Sequence, residues 1–335
     1  MRIGINPSKT NFKIEIQSTH RVILSVYIPN LTEEYFKDSR TIFKYCIESL
    51  LSTVHNNTRV SIIINGCCEE IASLIYEYQR SSPLIDQIYY TKENLGKINA
   101  NYSIVKSNLE PLLTISDADV MFLPGWQKEV ENIFVKFPGA GMVSPVPNSK
   151  GFLFSTASTL YYGLFKGKIK FRKVQDPEGL ENFQQSVGSI HFQKIHLEKY
   201  LVISNGVDEA VVGCGHFVAT YRKEVFEVAP SKVCEFRVQG NSEEDYLDEP
   251  NDIAGFLRLA TLGNFAYHLG NRPQPWMEEK LKDILNSSQT YGTLEIPAPV
   301  SFSRYQYYFG KFLNRLLFNK FRRQFFRYLG VSEPY

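Results

Sequence analysis

Asp117-Ala118-Asp119 is the densest chemical signal in the chain. Two carboxylates one residue apart, directly after an apolar run, can share a divalent cation and the phosphates it carries. Hard cations such as Mg²⁺ prefer oxygen ligands and bind through one or two carboxylates plus substrate phosphates. By itself the triplet equally suits a solvated turn or a helix N-cap, where Asp is favoured. A second concentration of acids is Glu243, Glu244, Asp245, Asp248 and Glu249. Such a run is by default a solvated loop, although a positioned carboxylate is also what removes a proton from an attacking hydroxyl.

The elements that must position these groups alternate in type. Arg21 to Pro29 is an apolar, β-branched run that reads as a buried strand, and Ser39 to Val54 carries Ile42, Phe43, Cys46, Ile47, Leu50 and Leu51 at helical spacing. Arg59 to Ile64 predicts a second strand, Ile71 to Tyr78 a helix, Gln87 to Tyr90 a third strand, Asn99 to Val105 a helix and Pro111 to Ser116 a fourth strand. A further helix is marked by Trp126, Val130, Ile133, Phe134 and Phe137. This β-α alternation predicts an α/β fold with a mostly parallel sheet sandwiched by helices. Ligands in such sheets bind beyond the carboxyl ends of the strands. The residues to interrogate are therefore Pro29-Asn30, Asn65-Gly66, Asn94 to Lys97 and Asp117 to Asp119. Beyond Gly141 the pattern is less regular. Val211 to Tyr221 reads as one strand, Arg222 to Val228 as a short helix, Gly240 to Glu249 as a loop, Asp252 to Thr261 as a helix and Asn264 to His268 as a strand.

The 335 residues, 43% hydrophobic and 21% charged, are a globular balance that excludes a disordered chain or a disulfide scaffold. No run approaches the roughly 20 apolar residues of a spanning helix, and the N-terminal residues show no secretory pattern. The five cysteines have no CxxC spacing, so a reduced, cytoplasmic compartment is expected and a zinc cage is not. The net charge of +2 conceals an asymmetry: from Ile296 onward there are seven basic residues and one acid, leaving a mildly acidic body. Phe309, Phe312, Leu313, Leu316, Leu317, Phe321, Phe325, Tyr328 and Leu329 recur at helical spacing in that basic region. A helix of this kind over 303–329 suits an anionic membrane surface, or else packs its stripe on the domain. No nucleic-acid module is visible, and no nucleic-acid partner is expected.

The succession IPN, IIING, NLGKINAN and ISDAD, followed by GCGHFVATYRKEVF, SEEDYLDEPNDIAGF and AYHLGN, resembles the family 2 glycosyltransferases over residues 20–270. That resemblance implies a GT-A fold over 1–275, with a nucleotide-sugar-binding half (20–140) and an acceptor-binding half (141–275). Residues 276–335 are then a basic, helical C-terminal extension. It further implies a metal-dependent (Mn or Mg), inverting transfer from a nucleotide-sugar donor to a glycan, and a membrane-binding tail on such an enzyme would suit a lipid-linked glycan acceptor, as in surface polysaccharide assembly.

Carried onto this sequence, the resemblance puts Pro29 and Asn30 beside the nucleobase and Asn94 and Lys97 near the base or diphosphate. Asp117 would reach the ribose or the metal, Asp119 and His268 would ligate the metal, and Asp245 or its neighbour Glu244 would be the general base. Asn65 stands where many members carry an acid, which puts the base preference in doubt. Without the resemblance His268 suits a structural role in an apolar strand. His191, His196 and His216 read as structural or surface residues. The competing class is a non-catalytic nucleotide-sugar-binding or assembly protein of the same fold. A sugar nucleotidyltransferase ranks lower, because NLTEEYF follows the first strand where a glycine-rich basic loop would be expected.

Overall fold

The computed structural model describes residues 3–6, 9, 13–238, 241–287, 292–331 and 335. Its first half follows the predicted alternation: β1 (His20–Val26), α1 (Ser39–Thr53), β2 (Thr58–Asn65), α2 (Glu69–Ser81), β3 (Ile85–Thr91), α3 (Lys97–Val105), β4 (Leu112–Asp117), β5 (Val120–Phe122) and α4 (Trp126–Lys136). The second half contains β6 (Ala140–Ser144), α5 (Ala157–Phe165), β7 (Lys168–Lys173), α6 (Pro177–Ser186), α7 (Lys194–Glu198), β8 (Lys199–Ser204), β9 (Glu209–Val212), β10 (Val218–Arg222), α8 (Glu249–Ile253), β11 (Leu257–Ala260) and β12 (Ala266–His268). Three helices follow: α9 (Pro275–Asn286), α10 (Arg304–Asn314) and α11 (Arg322–Tyr328).

Among the described residues ten strands form one sheet, in the order β3-β2-β1-β4-β10-β6-β11-β9-β8-β7, and β12 and β5 form a separate ribbon. The four strands at the β3 end run parallel, and β10 enters antiparallel between β4 and β6. Strands β6 and β11 are again parallel, whereas β9, β8 and β7 are antiparallel. The parallel strands read as unbroken apolar runs because both of their faces are buried. Val22, Leu24 and Val26 pack with Phe43, Ile47 and Trp126 on one face, and Ile23, Ile63 and Ile115 pack with Ile98 and Ile104 on the other. Register brings the carboxyl ends level: Ser25 lies opposite Ile63 on one side and Asp117 on the other.

Three local readings differ from the structure. The run 211–221 is two strands rather than one, broken at Gly213. Its φ is +76°, and a Cβ there would lie 2.0 Å from the Gly151 carbonyl oxygen. Only glycine tolerates both demands. The expected helix at Asp252–Thr261 is instead the end of α8, a stop at Gly255 (φ +79°), and strand β11 inserted between β6 and β9. A left-handed glycine is a common helix terminator. The acidic run read as a loop is helical, a wide-turned segment at Glu244–Asp248 continuing into α8. Its Asp248 is turned inward and buried.

At the opposite end of β1 from the aspartate pair lies a closed polar cluster. His20 Nδ1 and His55 Nε2 stand 2.8 and 2.9 Å from Glu131 Oε1. The other ring nitrogens meet Thr114 Oγ1 at 2.6 Å and Thr58 Oγ1 at 3.1 Å. All three residues are buried. By donor type the trio could hold a metal ion, but it is sealed inside the core. Burial alone would raise the Glu131 carboxyl, yet the two imidazoles hold it at about 2, against an ordinary 4.5. Its stabilising contribution is therefore complete above pH 4.5 and is lost as pH falls toward 2. Removing Glu131 would leave two buried imidazoles without their acceptor, which costs about 1–3 kcal/mol. Glu131→Ala should accordingly melt well below the parent at pH 7, and Glu131→Gln should flatten the acid limb of stability against pH. Chemical denaturation across that pH range checks both, and an unchanged acid limb would remove the cluster from the account.

Candidate functional site

Asp117 is the last residue of β4, and its backbone N–H donates to the Phe217 carbonyl at 2.8 Å. Asp119 begins the ribbon, where its carbonyl accepts from Leu269 N at 2.7 Å and β12 runs back antiparallel to β5. This hairpin-like return brings His268 Nε2 to 3.5 Å from Asp119 Oδ2. Ser186 Oγ holds the other ring nitrogen of His268 at 2.9 Å, so Nε2 is the nitrogen aimed at Asp119. Asp119 Oδ1 is buried and has no hydrogen-bond partner among the described residues. Burial raises the Asp119 carboxyl, with nearby Asp117 adding to the effect and His268 opposing it. An orphaned carboxylate oxygen next to an oriented imidazole is a donor set suited to a divalent cation.

The two aspartates border a cleft of about 390 Å³ at the carboxyl edge of the parallel strands. Asn65, Asn94, Lys97, Asp117 and Asp119 all line it, opposite Tyr27, Tyr35 and Phe36. Asn65 is nearly buried and knits the loop after β2 to the loop before α3. Its Oδ1 accepts from Leu95 N at 2.9 Å, and its Nδ2 donates to Asn94 Oδ1 at 3.1 Å. Asn94 Oδ1 also accepts from Gly96 N at 2.8 Å. Pro29 and Asn30 do not line the cleft. Asn30 Oδ1 instead closes its own turn, accepting from Thr32 N at 3.1 Å and Glu33 N at 2.9 Å.

Lys97, the first residue of α3, joins the cleft to the acidic run. Its Nζ lies 2.6 Å from Asp117 Oδ1 and also pairs with Glu243 Oε1. Glu243 Oε2 is 3.2 Å from His216 Nε2, His216 Nδ1 is 3.0 Å from Asp248 Oδ2, and that oxygen is 2.9 Å from Arg258 Nη2. Six groups thus alternate in sign from Asp117 to Arg258. Burial opposes charge on Lys97 and His216, but the flanking carboxylates prevail: Lys97 is raised further, and His216 rises to about 9. Burial would likewise raise Glu243, but His216 and Lys97 hold it at about 2.

The chain ends at a second cavity of about 470 Å³, lined by His216, Glu244, Asp248, Arg258, Lys150 and Phe154 among others. Glu244 thus faces this cavity, whereas the neighbouring Asp245 is exposed. The sequence reading placed His216 as structural or surface; the structure seats it at the centre of the ion chain. Glu243 belonged to a recognised acidic run, yet nothing in its spacing marked it as the partner of Lys97. Asp119 and His268 are brought together as a pair, and Asn65, Asn94, Lys97 and Asp117 share one cleft with Asp119.

A scan against protein-family models finds no match. A search of curated proteins finds no relative. Among solved structures the chain is similar in outline to a mannosyltransferase, PcManGT, from Pyrobaculum calidifontis, solved in complex with GDP-Man and Mn²⁺. The TM-score is 0.43 and the identity 13%, over 81% of this chain and 64% of that one. Residues 1–349 of S. aureus TarS give 0.42 and 9%, over 80% and 71%. A further TarS structure gives 0.30 and 12%, and there the chain spans 21% of that protein's length and matches over 37% of its own. Likeness this loose transfers no activity. Among the described residues no helix is long and apolar enough to cross a membrane.

The raised value of His216 has a consequence for stability. Its ion pairs stabilise the fold fully below pH 6.5, and that contribution is lost as pH rises through about 9. The His216 ring signals should titrate by NMR near pH 9, and His216→Gln should remove the matching alkaline decline in unfolding free energy. A midpoint at or below 6.5 would mean that the ion chain is not formed in solution.

Proposed function

We propose that the chain is a metal-dependent, inverting glycosyltransferase that moves a sugar from a nucleotide-sugar donor to a glycan or lipid-linked acceptor. The observation that carries this reading is the cleft at the carboxyl edge of a parallel sheet lined by Asp117 and Asp119, with the His268 imidazole set beside Asp119. Asp119 and His268 would hold Mn²⁺ or Mg²⁺, with Asp117 alongside. A cation bound there neutralises the leaving diphosphate as a Lewis acid.

The remaining roles fall to groups of the chain itself. Tyr27, Tyr35 and Phe36 would supply aromatic surface for the base, in place of Pro29 and Asn30, which do not line the cleft. Asn65 and Asn94 hold the floor. Lys97 is positioned to meet the diphosphate, and doing so would loosen its pairing with Asp117 and Glu243. For the general base, the exposure of Asp245 and the position of Glu244 at the second cavity favour Glu244 of the two. Glu243 is already held by Lys97 and His216, which suits positioning more than proton transfer. Attack from the Glu244 side, opposite the diphosphate, would invert the anomeric centre. In this reading residues 20–140 bind the donor, 141–275 the acceptor, and 276–335 form the extension.

The extension splits its aromatic stripe. Tyr307, Phe318, Phe325 and Phe326 are buried, whereas Tyr305, Tyr308, Phe309 and Phe312 remain exposed beside basic residues. Those exposed rings would support peripheral attachment to an anionic membrane from the cytoplasmic side. A non-catalytic nucleotide-sugar-binding protein is the second reading, favoured by Asn65, whose amide is consumed within the protein.

A thermal-shift panel of nucleoside diphosphates and nucleotide sugars, with and without Mn²⁺, tests the donor half. One nucleotide should raise the melting temperature only with metal, by an amount reflecting about 2.7 kcal/mol at a hundredfold excess over Kd. Asp119→Ala should abolish that shift. With the donor found, Glu244→Gln should lower kcat by about 10²–10⁴, while Asp245→Asn should retain activity. The reverse pattern would move the base to Asp245, and turnover by neither parent nor variant would favour the binding-protein reading.

A further inference from the structure

The basic residues that the sequence concentrates near its C-terminus have a definite place. Helix α10 lies against α5, where Gly310 packs so closely that a Cβ would stand 2.3 Å from the Ala157 carbonyl oxygen. This contact carries the extension past the second cavity. Leu153 lines that cavity and two more, one bordered by Lys150 and Arg322 and the other by Glu244, Lys311 and Arg315. The three adjoin at Leu153, two of them share Lys150 and two share Glu244, and the extension lines the two outer ones; this set of adjoining cavities is the groove.

Charge along the groove is not balanced. Asp248 is neutralised by Arg258 and His216. Asp252 caps α5, accepting from Ala157 N at 2.9 Å and Ser158 N at 2.8 Å. Glu249 faces Lys311 at 3.7 Å. That leaves Glu244 as the one acid with neither a cation nor a backbone cap among the described residues, against Lys150, Arg315 and Arg322, which have no acidic partner among them. Lys150 Nζ donates to the His191 carbonyl at 2.8 Å and so is held at the groove wall without being neutralised. The field is felt locally: burial first, then Lys150 and Arg322, push the His196 imidazole down to about 4. Guanidinium groups are well suited to phosphate, which they can grip through two parallel hydrogen bonds.

We propose that this groove binds the acceptor and that the acceptor carries phosphate, gripped by Lys150, Arg315 and Arg322 while its hydroxyl meets Glu244. The proposal rests on the glycosyltransferase reading for the word acceptor, but the phosphate site itself can be tested without turnover.

The test uses the full chain in EDTA, which keeps the metal-dependent donor cleft silent. Calorimetric titrations compare inorganic pyrophosphate, a short alkyl pyrophosphate below its micelle concentration, and a neutral alkyl glycoside. Parent protein should bind both phosphate probes and not the glycoside. Arg315→Glu and Arg322→Glu should each weaken binding by about tenfold or more, the loss of one charge-assisted contact. Lys150→Gln, on a different element, should weaken the same probes, which guards against a folding defect in the extension. Tighter binding of the alkyl probe would identify a lipid phosphate, and equal binding a phosphate within the glycan. Failure of the parent to bind either phosphate probe, or equal binding by parent and variants, would overturn the proposal. A separate titration of nucleoside diphosphate with Mn²⁺ keeps the two readings distinguishable. If that fails while the groove still binds phosphate, the donor assignment falls and the groove stands.

Discussion

Everything at the working edge of this molecule depends on one alternating line of charge, Asp117–Lys97–Glu243–His216–Asp248–Arg258. No member is neutralised by water alone, so each needs its neighbours, and removing one would leave a half-buried charge without its opposite. The line also ties distant parts of the chain together. Strand β4, helix α3, the acidic segment before α8, the loop before β10 and strand β11 all contribute one or two members. The first cleft and the second cavity are therefore linked by electrostatics as well as by the apolar core that Ile98, Ile115, Ala219, Leu247 and Ala260 share. A diphosphate entering the first would compete for Lys97, and the change would be felt at Glu243 and His216 beside the second. Under the glycosyltransferase proposal, such coupling would serve to bring the two substrates together.

Residues 20–136 were legible because buried parallel strands and amphipathic helices write their periods plainly into sequence. Apart from the short β5, which was not expected, the predicted and observed elements there agree to within a few residues, and of the strand-end positions identified for scrutiny Asn65, Asn94, Lys97 and Asp117 to Asp119 line the cleft while Pro29 and Asn30 do not. The second half was less legible for physical reasons. Its strands are short, run antiparallel in several places, and are separated by close backbone approaches. Gly213 and Gly255 each occupy a positive-φ position, one dividing a strand and the other ending a helix. Periodicity carries no record of either event. Nor could it show that an acid-rich segment folds into a helix with Asp248 inward, since the cations that draw it in are supplied by residues remote in sequence.

The amphipathic pattern of the extension was read as either a membrane-facing or a packing stripe, and part of it packs on the domain. Phe318 and Phe326 pack on Phe152 with ring centroids 5.0 and 5.3 Å away, so this part of the stripe completes the core. The rings at Tyr305, Tyr308 and Phe312 face outward. Truncating the extension would therefore unmake part of the domain, which is why point substitutions are the informative probes of its surface.

The most direct measurement is an anomalous-scattering map from crystals grown with Mn²⁺ and a nucleoside diphosphate. The account predicts a single protein-bound manganese peak between Asp119 and His268, with diphosphate oxygens completing its shell and Lys97 drawn toward them. A peak at His20, His55 and Glu131 instead, or nucleotide bound away from the Asp117–Asp119 edge, would contradict it.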